Sequence, residues 1–324
     1  MVTLAVLDRF HPHIKAAIES AVPTDWRAVF IEESTLAARV ALVRDADIAF
    51  VMAAPIPKEV VTAARKLRFI QKLGAGVDRI DLDACRDRGI GVARLHAGNS
   101  VPVAEHTVLL MLAVYRQLPQ IDRRTRAGAW DKEAARGEHR QLFGKTIGLV
   151  GLGAVGRDVA KRLRGFDVSM IYYDPVRAPA GIEQSLGVRY VDLDDLVRGA
   201  DIVSLHLPLM PQTAGIINTG RIHAMKRGAV LINCARGGLV DEAALAAALK
   251  DGHLFGAGID AFSSEPPVGS ELLALDNTVI TSHLAGATLD NFSSIVARAV
   301  ANAEAVLCGV PLAKTDEVLA PGVS

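Results

Sequence analysis

The sequence is poor in cysteine, carries no excess of either charge and has no long apolar run. Its three cysteines are too few and too scattered for a disulfide framework, and they lack metal-ligand spacing. Lysine plus arginine equals aspartate plus glutamate at 36 each, so no overall basic field attracts nucleic acid or an anionic membrane. The apolar run Val108–Val114 is far shorter than the ~20 residues of a membrane span. We therefore expect a soluble, cytoplasmic protein without a metal site, a nucleic-acid partner or a membrane anchor.

Short apolar runs alternate with helical patterns along most of the 324 residues. This alternation predicts an α/β protein built on parallel sheets, and the length suffices for two domains. The predicted strands are Val2–Leu7, Val29–Ile31, Ile48–Met52, Phe69–Leu73, Thr146–Val150, Val168–Tyr173, Asp201–Leu207, Ala229–Cys234, Phe255–Ala261 and Thr278–Ser282. The predicted helices include His11–Ser20, Leu36–Val43, Pro57–Ala64, Asp241–Lys250 and Leu289–Leu307.

A glycine turn between a strand and a helix lies near the middle of the chain. The run Thr146–Val150 breaks at Gly151-Leu152-Gly153-Ala154-Val155-Gly156, and apolar residues then recur at helical spacing. Gly151 permits the tight bend, Gly153 lets a pyrophosphate approach the backbone, and Gly156 lets the helix pack closely on the strand. The N–H groups and the dipole of the helix start favour phosphate charge. The pattern predicts a dinucleotide-binding site.

An acidic residue ends the strand that follows this helix. Asp174 stands about 20 residues beyond the first glycine, where a carboxylate accepts hydrogen bonds from the adenosine ribose. A carboxylate there repels a 2′-phosphate, so we predict that the cofactor is NAD rather than NADP. Arg177 has two interpretations, as a charge that partly offsets this repulsion or as a solvated loop residue, and the second is favoured.

Three polar residues follow successive predicted strands of the same sheet. Arg236 follows Ala229–Cys234, Glu265 follows the next strand, and His283 follows the last one. Ligands bind at the carboxyl ends of such strands. Histidine is a proton donor near neutral pH, a carboxylate orients it, and arginine offers a planar fork to a substrate carboxylate. Each residue alone also fits a structural role, but the set favours hydride transfer between a 2-keto and a 2-hydroxy acid.

Two further features have competing interpretations. The stretch Leu73-Gly74-Ala75-Gly76 is either an anion-binding nest of backbone N–H groups or a plain strand-to-helix turn, and its spacing favours the turn. Cys234 is either a nucleophile or a small residue packed near the cofactor, and packing is favoured.

A long helix is predicted from Asn99 and Ser100 past Tyr115. Its segment Val108–Val114 is apolar on every face, which predicts burial all round, within the domain or against another subunit. We expect a symmetric homodimer that uses this helix. Glu105-His106 in the same helix is interpreted as a capping and dipole feature of the helix start.

Ordered motifs along nearly the whole chain resemble the D-isomer-specific 2-hydroxyacid dehydrogenase family, which includes phosphoglycerate, glyoxylate/hydroxypyruvate and formate dehydrogenases. The matching segments are KLGAGVDRIDLDAC, VAEHTVLLMLA, GKTIGLVGLGAVG, DIVSLHLPLMPQT, INCARGGLVDEAAL, GAGIDAFSSEPP and SHLAGAT. The resemblance implies a Rossmann NAD-binding domain, residues 99–287 with the dimerisation helix, inserted into a smaller flavodoxin-like substrate domain of residues 1–98 and 288–324.

The resemblance also implies roles for individual residues. Arg236 anchors the substrate, Glu265 is the partner of His283, and His283 is the acid/base of a reaction between NAD(H) and a small acid of D configuration. Backbone N–H groups of Leu73, Gly74, Ala75 and Gly76 bind the substrate carboxylate, together with Arg236 and His283. The implied cofactor contacts are Gly151, Gly153, Ala154, Val155, Gly156, Asp174, His206, Pro208, Thr213, Cys234, Ala235, Arg236, Asp260, His283 and Gly286.

Departures from the family and competing functions bound this interpretation. Many relatives have Arg-Ile where this chain has Ala154-Val155, so cofactor affinity is lower or relies on Arg157. The glutamine and asparagine patterns of formate dehydrogenases are missing, which disfavours formate. 3-Phosphoglycerate dehydrogenase is the main alternative, with Arg79, Arg94 or His96 as candidates for a substrate phosphate. Some relatives are NAD-sensing corepressors, but the intact catalytic set argues against that role.

Overall fold

The computed structural model describes residues 1–130 and 132–322. The strands are β1 (Val2–Val6), β2 (Trp26–Phe30), β3 (Ile48–Val51), β4 (Phe69–Lys72), β5 (Gly91–Ala93), β6 (Thr146–Val150), β7 (Ser169–Tyr173), β8 (Val188–Tyr190), β9 (Ile202–Leu205), β10 (Val230–Asn233), β11 (Gly256–Ile259), β12 (Thr278–Ile280) and β13 (Glu317–Leu319). The helices are α1 (Pro12–Ala21), α2 (Leu36–Val43), α3 (Lys58–Ala63), α4 (Leu82–Asp87), α5 (Ser100–Tyr115), α6 (Leu118–Arg126), α7 (Lys132–Glu138), α8 (Ala154–Leu163), α9 (Ala180–Leu186), α10 (Leu193–Gly199), α11 (Thr219–Ala224), α12 (Glu242–Lys250) and α13 (Leu289–Leu307).

The chain folds into two compact units, and each unit has its own sheet. The first unit contains Met1–Asn99 together with the described residues from Thr288 onward. The second contains Ser100–Ala287 and is inserted in the sequence between the two parts of the first. Nowhere in the part of the chain that the structure describes is a helix long and apolar enough to cross a membrane.

The sheet of the first unit has the order β13-β5-β4-β3-β1-β2. Strands β1 to β5 are parallel, and their order 2-1-3-4-5 is that of flavodoxin-like folds. The flavodoxin-like prediction is therefore confirmed. The sequence did not predict β13, which adds an antiparallel edge beside β5. A three-residue strand with an irregular register carries too little alternation to be recognised from the sequence.

A buried carboxylate fixes this edge strand to the rest of the first unit. Asp316 precedes β13, is 1% exposed and accepts hydrogen bonds from both the Nε (3.1 Å) and Nη2 (2.5 Å) of Arg298 on α13. Its Oδ1 also accepts from the backbone N–H of His96, at 3.0 Å. The Arg298 fork further donates to the His96 carbonyl, at 3.0 Å. This network joins α13, β13 and the loop after β5.

The sheet of the second unit has the order β12-β11-β10-β9-β6-β7-β8 and is parallel throughout its described strands. Numbered from β6, this is the Rossmann order 3-2-1-4-5-6 with one strand added. The predicted doubly wound sheet is confirmed. Its register aligns the last residues of six neighbouring strands in one row: Tyr173, Val150, Leu205, Asn233, Ile259 and Ile280.

Helix α5 packs on β10 and β11 because two strand glycines leave room for it. A Cβ on Gly256 would lie 2.7 Å from Val114, and one on Gly258 would lie 2.9 Å from Leu110. Within this chain the segment Val108–Val114 is not covered on every face, since Leu109 is 50% exposed, so its burial against another subunit stays a prediction. The prediction that the helix continues past Tyr115 is wrong. Helix α5 ends at Tyr115, and the chain turns at Gln117, whose backbone is left-handed, before α6 begins. Apolar composition alone does not say which face the rest of the chain covers.

Several short elements were missed by the sequence analysis. These are α4, β5, α9, β8 and α10, which have between three and seven residues each. Helix α4 is started by the Asp81 side chain, which accepts from the backbone N–H of Ala84 at 2.9 Å. Elements of this length span at most two turns or one pleat, too few residues for a period to be recognised.

Candidate active site

Six residues directly follow the aligned strand ends and lie along the carboxyl edge of the second sheet. They are Asp174, Gly151, His206, Cys234, Asp260 and Thr281, in the order of the strands. Side chains from distant parts of the sequence are thus brought to one edge of one sheet. That edge is where open parallel α/β sheets bind their ligands.

The glycine turn has the conformation that a phosphate-binding loop requires. Gly151 has φ 106°, and a Cβ there would lie 2.8 Å from the His206 backbone. A Cβ on Gly156 would lie 2.2 Å from the Gly151 carbonyl oxygen, so α8 can begin this close to β6 only with glycine. Gly153, which precedes the first residue of α8, has nothing within 4 Å of its Cβ position. An open space above a helix start fits the pyrophosphate of a dinucleotide.

Two side chains support this turn from either side. The Asp174 carboxylate accepts from the backbone N–H of Leu152 at 2.8 Å and from that of Val176 at 3.1 Å. The Arg157 guanidinium on α8 donates to the Leu152 carbonyl, at 2.9 Å. Arg157 therefore lies at the glycine turn, as needed if it is to compensate for the Ala154-Val155 departure.

Arg177 is not a free loop charge. Its guanidinium makes a bidentate pair with Glu183, with Nε···Oε1 at 2.9 Å and Nη2···Oε2 at 3.0 Å. Tyr172 donates its hydroxyl to the same carboxylate, at 2.6 Å. These hydrogen bonds, with Arg177 the larger cause, lower the pKa of Glu183 to about 2, so the pair stays ionised at neutral pH. Both interpretations of Arg177 from the sequence missed this partner.

The loop after β9 carries a histidine with an unusual environment. The Nε2 of His206 is shielded from solvent and has no hydrogen-bond partner within residues 1–130 and 132–322. Burial lowers the pKa of His206 to about 3, so its imidazole is neutral. Thr213 closes the same loop, since its hydroxyl donates to the Pro208 carbonyl at 2.6 Å and accepts from the Met210 N–H at 2.8 Å.

The loop after β10 presents Arg236 on a braced backbone. The side chain of Asn233, 1% exposed, accepts from the Ala235 N–H at 3.0 Å and donates to the Arg236 carbonyl at 2.9 Å. Burial raises the pKa of Cys234 to about 12, so it is a thiol at neutral pH and a poor nucleophile. This agrees with the packing interpretation of Cys234.

A glycine explains how the Arg236 loop meets the segment that leads to Glu265. A Cβ on Gly237 would lie 1.8 Å from the Phe262 carbonyl carbon and 2.0 Å from the Ser263 nitrogen. The Glu265 carboxylate in turn accepts from the Phe262 N–H, at 3.3 Å. The backbones that carry Arg236 and Glu265 therefore pass each other in direct contact.

His283 and Glu265 form a hydrogen-bonded pair. The Nδ1 of His283 lies 2.6 Å from Oε1 of Glu265, and the two side chains are 41% and 21% exposed. The bond fixes the imidazole ring and leaves Nε2 as the nitrogen that can exchange a proton with a ligand. His283 has φ 54°, a left-handed conformation that side chains rarely adopt.

Asp260 determines the course of the loop that carries His283. Its buried carboxylate accepts from the N–H of Leu284 at 2.9 Å and of Ala285 at 3.0 Å, and from the Thr281 hydroxyl at 2.6 Å. Its backbone carbonyl accepts from the N–H of His283 at 2.8 Å. Sequence reasoning predicted Asp260 as a cofactor contact and did not foresee this second role.

The predicted site residues fall into two groups. Those from Gly151 to Gly286 lie in the second unit and surround the carboxyl edge of its sheet. Leu73, Gly74, Ala75 and Gly76 lie in the first unit, directly after β4. Within the described ranges, no cluster of three or more His, Cys, Asp or Glu side chains is arranged to hold a metal ion.

Sequence reasoning misjudged two residues of α5. Glu105 and His106 lie beyond the first turn of this helix, so the capping interpretation is wrong. Glu105 forms an ion pair with Arg162 at 3.0 Å, and His106 bonds Thr281 at 3.0 Å. His106 and Thr281 are 175 positions apart, so their contact could not be recognised from the sequence.

The Rossmann sheet and its glycine turn define a dinucleotide-binding domain. Residues 108–285 match the model of the D-isomer specific 2-hydroxyacid dehydrogenase, NAD binding domain. That match covers more than half of the chain, which belongs to the D-isomer specific 2-hydroxyacid dehydrogenase family. NAD is the cofactor of this domain.

Individual relatives agree with this assignment. The D-3-phosphoglycerate dehydrogenase of Archaeoglobus fulgidus is 41% identical over 251 residues, which are 76% of this chain and 47% of the relative. The chain spans about half the length of the curated relatives it matches. The structure of the TT0316 protein from Thermus thermophilus aligns with TM-score 0.87 and 34% identity, over 98% of this chain and 100% of that one. The NAD complex of a Staphylococcus aureus formate dehydrogenase aligns with TM-score 0.87 and 26% identity, over 99% and 100%.

Proposed function

We propose that this protein transfers a hydride between NAD(H) and a small 2-keto or 2-hydroxy acid of D configuration. The observation that carries the proposal is the 2.6 Å pair of His283 and Glu265 beside the loop of Arg236, on the sheet edge that holds the glycine turn. In this assignment the second unit binds the cofactor and also supplies Arg236 and His283 to the substrate. When bound, the nicotinamide supplies or accepts the hydride.

The residues of the chain supply the proton and the substrate orientation. Glu265 accepts from Nδ1 of His283, which holds the ring in one orientation and leaves Nε2 free to face the substrate. Protonated Nε2 then donates to the substrate carbonyl oxygen as negative charge develops there, and in the reverse direction it accepts the hydroxyl proton. Arg236 binds the substrate carboxylate through its planar fork. The Leu73–Gly76 backbone remains the predicted second anchor for that carboxylate.

A substrate panel tests the proposal. Purified protein is assayed by NADH absorbance with glyoxylate, hydroxypyruvate, pyruvate, phenylpyruvate, formate with NAD, and phosphohydroxypyruvate. We expect reduction of at least one 2-keto acid. No reduction of any 2-keto acid in the panel would contradict the proposal.

3-Phosphoglycerate dehydrogenase is the second candidate, because the curated relatives with 37% to 41% identity carry that name. Phosphohydroxypyruvate and hydroxypyruvate differ by the phosphate alone, so their kcat/KM ratio measures whether the protein uses that group. A ratio well above one favours this candidate, and a ratio below one favours an unphosphorylated substrate.

NAD is expected to be preferred over NADP, and the Arg177–Glu183 pair contributes to that preference. Glu183 pairs with Arg177, which follows Asp174 in the sequence, so the Arg177 guanidinium is not available to a 2′-phosphate. We expect Glu183→Gln to raise kcat/KM for NADPH relative to NADH by about fivefold, the scale of an exposed ion pair. Steady-state assays with both cofactors measure it.

The matched control for this prediction is the double variant Glu183→Gln with Arg177→Ala. It removes the released guanidinium and should return the cofactor ratio to that of the wild type. An equal ratio in wild type and Glu183→Gln would show that Arg177 plays no part, and a wild-type preference for NADPH would contradict the role of Asp174.

We further propose that the protein is a cytoplasmic homodimer. The face of α5 with half-exposed Val101 and Leu109 supports a dimer contact, because apolar side chains of this size are stabilised by burial. The three cysteines are free thiols, which supports a reducing compartment. Light scattering during size-exclusion chromatography at micromolar concentration tests the dimer, and a single monomer peak would contradict it.

A further inference from the structure

A buried chain of hydrogen bonds connects α5 to the loop of His283. The Nε2 of His106 lies 3.0 Å from Oγ1 of Thr281, and this hydroxyl lies 2.6 Å from Oδ1 of Asp260. The His106 side chain is 11% exposed and that of Asp260 is 0% exposed. Ile259 and Ile280 are register partners, so Asp260 and Thr281 leave their strands side by side. Neither His106 nor Thr281 takes part in the proposed reaction.

The donors in this chain can be assigned by counting protons. Asp260 already accepts two backbone N–H groups, and a carboxylate without a proton has no donor. Thr281 must therefore donate its single hydroxyl proton to Asp260. The Thr281 oxygen then accepts, so His106 must carry its proton on Nε2 and donate it. In both hydrogen bonds the donor consequently lies on the side of α5 and the acceptor on the side of Asp260.

Asp260 is the point where this chain acts on the loop of His283. The carboxylate binds the N–H groups of Leu284 and Ala285, and the Asp260 carbonyl binds the N–H of His283. These contacts surround a residue with φ 54°, which most side chains disfavour. The Thr281 hydroxyl fixes the carboxylate that in turn fixes the loop.

We propose that His106 and Thr281 are positioning residues for His283. His106 orients the Thr281 hydroxyl, Thr281 orients the Asp260 carboxylate, and Asp260 holds His283 in the conformation in which Nδ1 meets Glu265. This inference rests on the proposed role of His283 as acid/base. It assigns no contact between His106 or Thr281 and substrate.

Substitutions at Thr281 test this inference. Thr281→Val keeps the side-chain shape and removes the hydroxyl, whereas Thr281→Ser keeps the hydroxyl. We expect Thr281→Val to lower kcat by at least about tenfold with little change in the KM for NADH, because a displaced acid/base slows the proton transfer more than cofactor binding. Thr281→Ser should recover most of the lost kcat.

Two matched variants separate positioning from a general loss of stability. Thr219→Val removes a comparable hydrogen bond, from Thr219 to Asp241 at 2.8 Å, on an exposed part of the second unit. It should leave kcat unchanged. At His106, where the row of hydrogen bonds begins, His106→Gln retains an N–H donor and should keep more activity than His106→Leu.

A measurement that needs no turnover completes the test. In protein labelled with ¹⁵N-histidine, the His283 signals are assigned by their loss in His283→Asn, and the Nδ1 proton bonded to Glu265 gives a downfield resonance. We expect Thr281→Val to shift or broaden that resonance and Thr219→Val to leave it in place. Unchanged His283 signals and unchanged kcat in Thr281→Val would overturn the inference while leaving the proposed function intact. Shifted His283 signals in Thr281→Val, found together with a wild-type protein that reduces no 2-keto acid, would support positioning and overturn the proposed function alone.

Discussion

His283→Asn lowers kcat for reduction of the preferred 2-keto acid by 10²-fold or more, about the contribution of a general acid. Asparagine removes the titrating imidazole but tolerates the left-handed backbone of residue 283, where φ is 54°. The loop held by Asp260 therefore keeps its course, and the loss reports the proton donor. NADH absorbance at saturating substrate gives kcat, and circular dichroism shows that the fold is retained.

The control is His223→Asn, which replaces an exposed histidine on α11 of the same unit. It should retain the turnover of the wild type. Activity of His283→Asn within a few-fold of the wild type would remove His283 from the reaction, whatever the geometry of its pair with Glu265.

Gly237→Ala is expected to lower kcat/KM on the order of 10²-fold, because a misplacement of about 1 Å in catalytic groups has effects of this size. The new Cβ would lie 1.8 Å from the Phe262 carbonyl carbon, and neither backbone can yield without moving a catalytic loop. One loop carries Arg236 and the other carries Glu265. Overpacking of this kind also destabilises the fold by about 1 to 3 kcal/mol, which urea unfolding would measure.

The neighbouring glycine provides the matched control. A Cβ on Gly238 would lie 3.0 Å from a methyl carbon of Leu209, at the flexible end of a side chain that can move aside. Gly238→Ala should therefore retain most of its activity and stability. Equal behaviour of the two alanine variants would mean that the close approach at Gly237 has no role in holding the site.

Much of the fold could be predicted because its signals are local. The strand Thr146–Val150 and helices α2 and α13 have the predicted bounds, because the apolar run, the apolar period of the helices and the flanking residues agree there. The antiparallel strand β13 could not be predicted in the same way. Its placement depends on the contact between Asp316 and Arg298, which are 18 positions apart. No sequence pattern in either segment indicates that these two side chains pair.

The residues of the candidate site show the same difference between local signals, which can be predicted, and distant contacts, which cannot. Arg236, Glu265 and His283 were found because each follows a recognisable strand, and the sheet rule brings strand ends to one edge. His106 and Glu183 were not found, because their partners Thr281 and Arg177 are chosen by packing of α5 and α9 rather than by sequence spacing. The roles of the predicted cofactor and substrate contacts stay predictions that ligand-bound structures would test.

The insertion of one unit within the other has a consequence for biosynthesis. The inner unit is continuous in sequence, so its sheet can assemble as soon as that stretch has left the ribosome. The outer unit needs α13 and the last strand, which are translated after the whole inner unit. Its early strands therefore present an unpaired edge at β5 until α13 and β13 have been made.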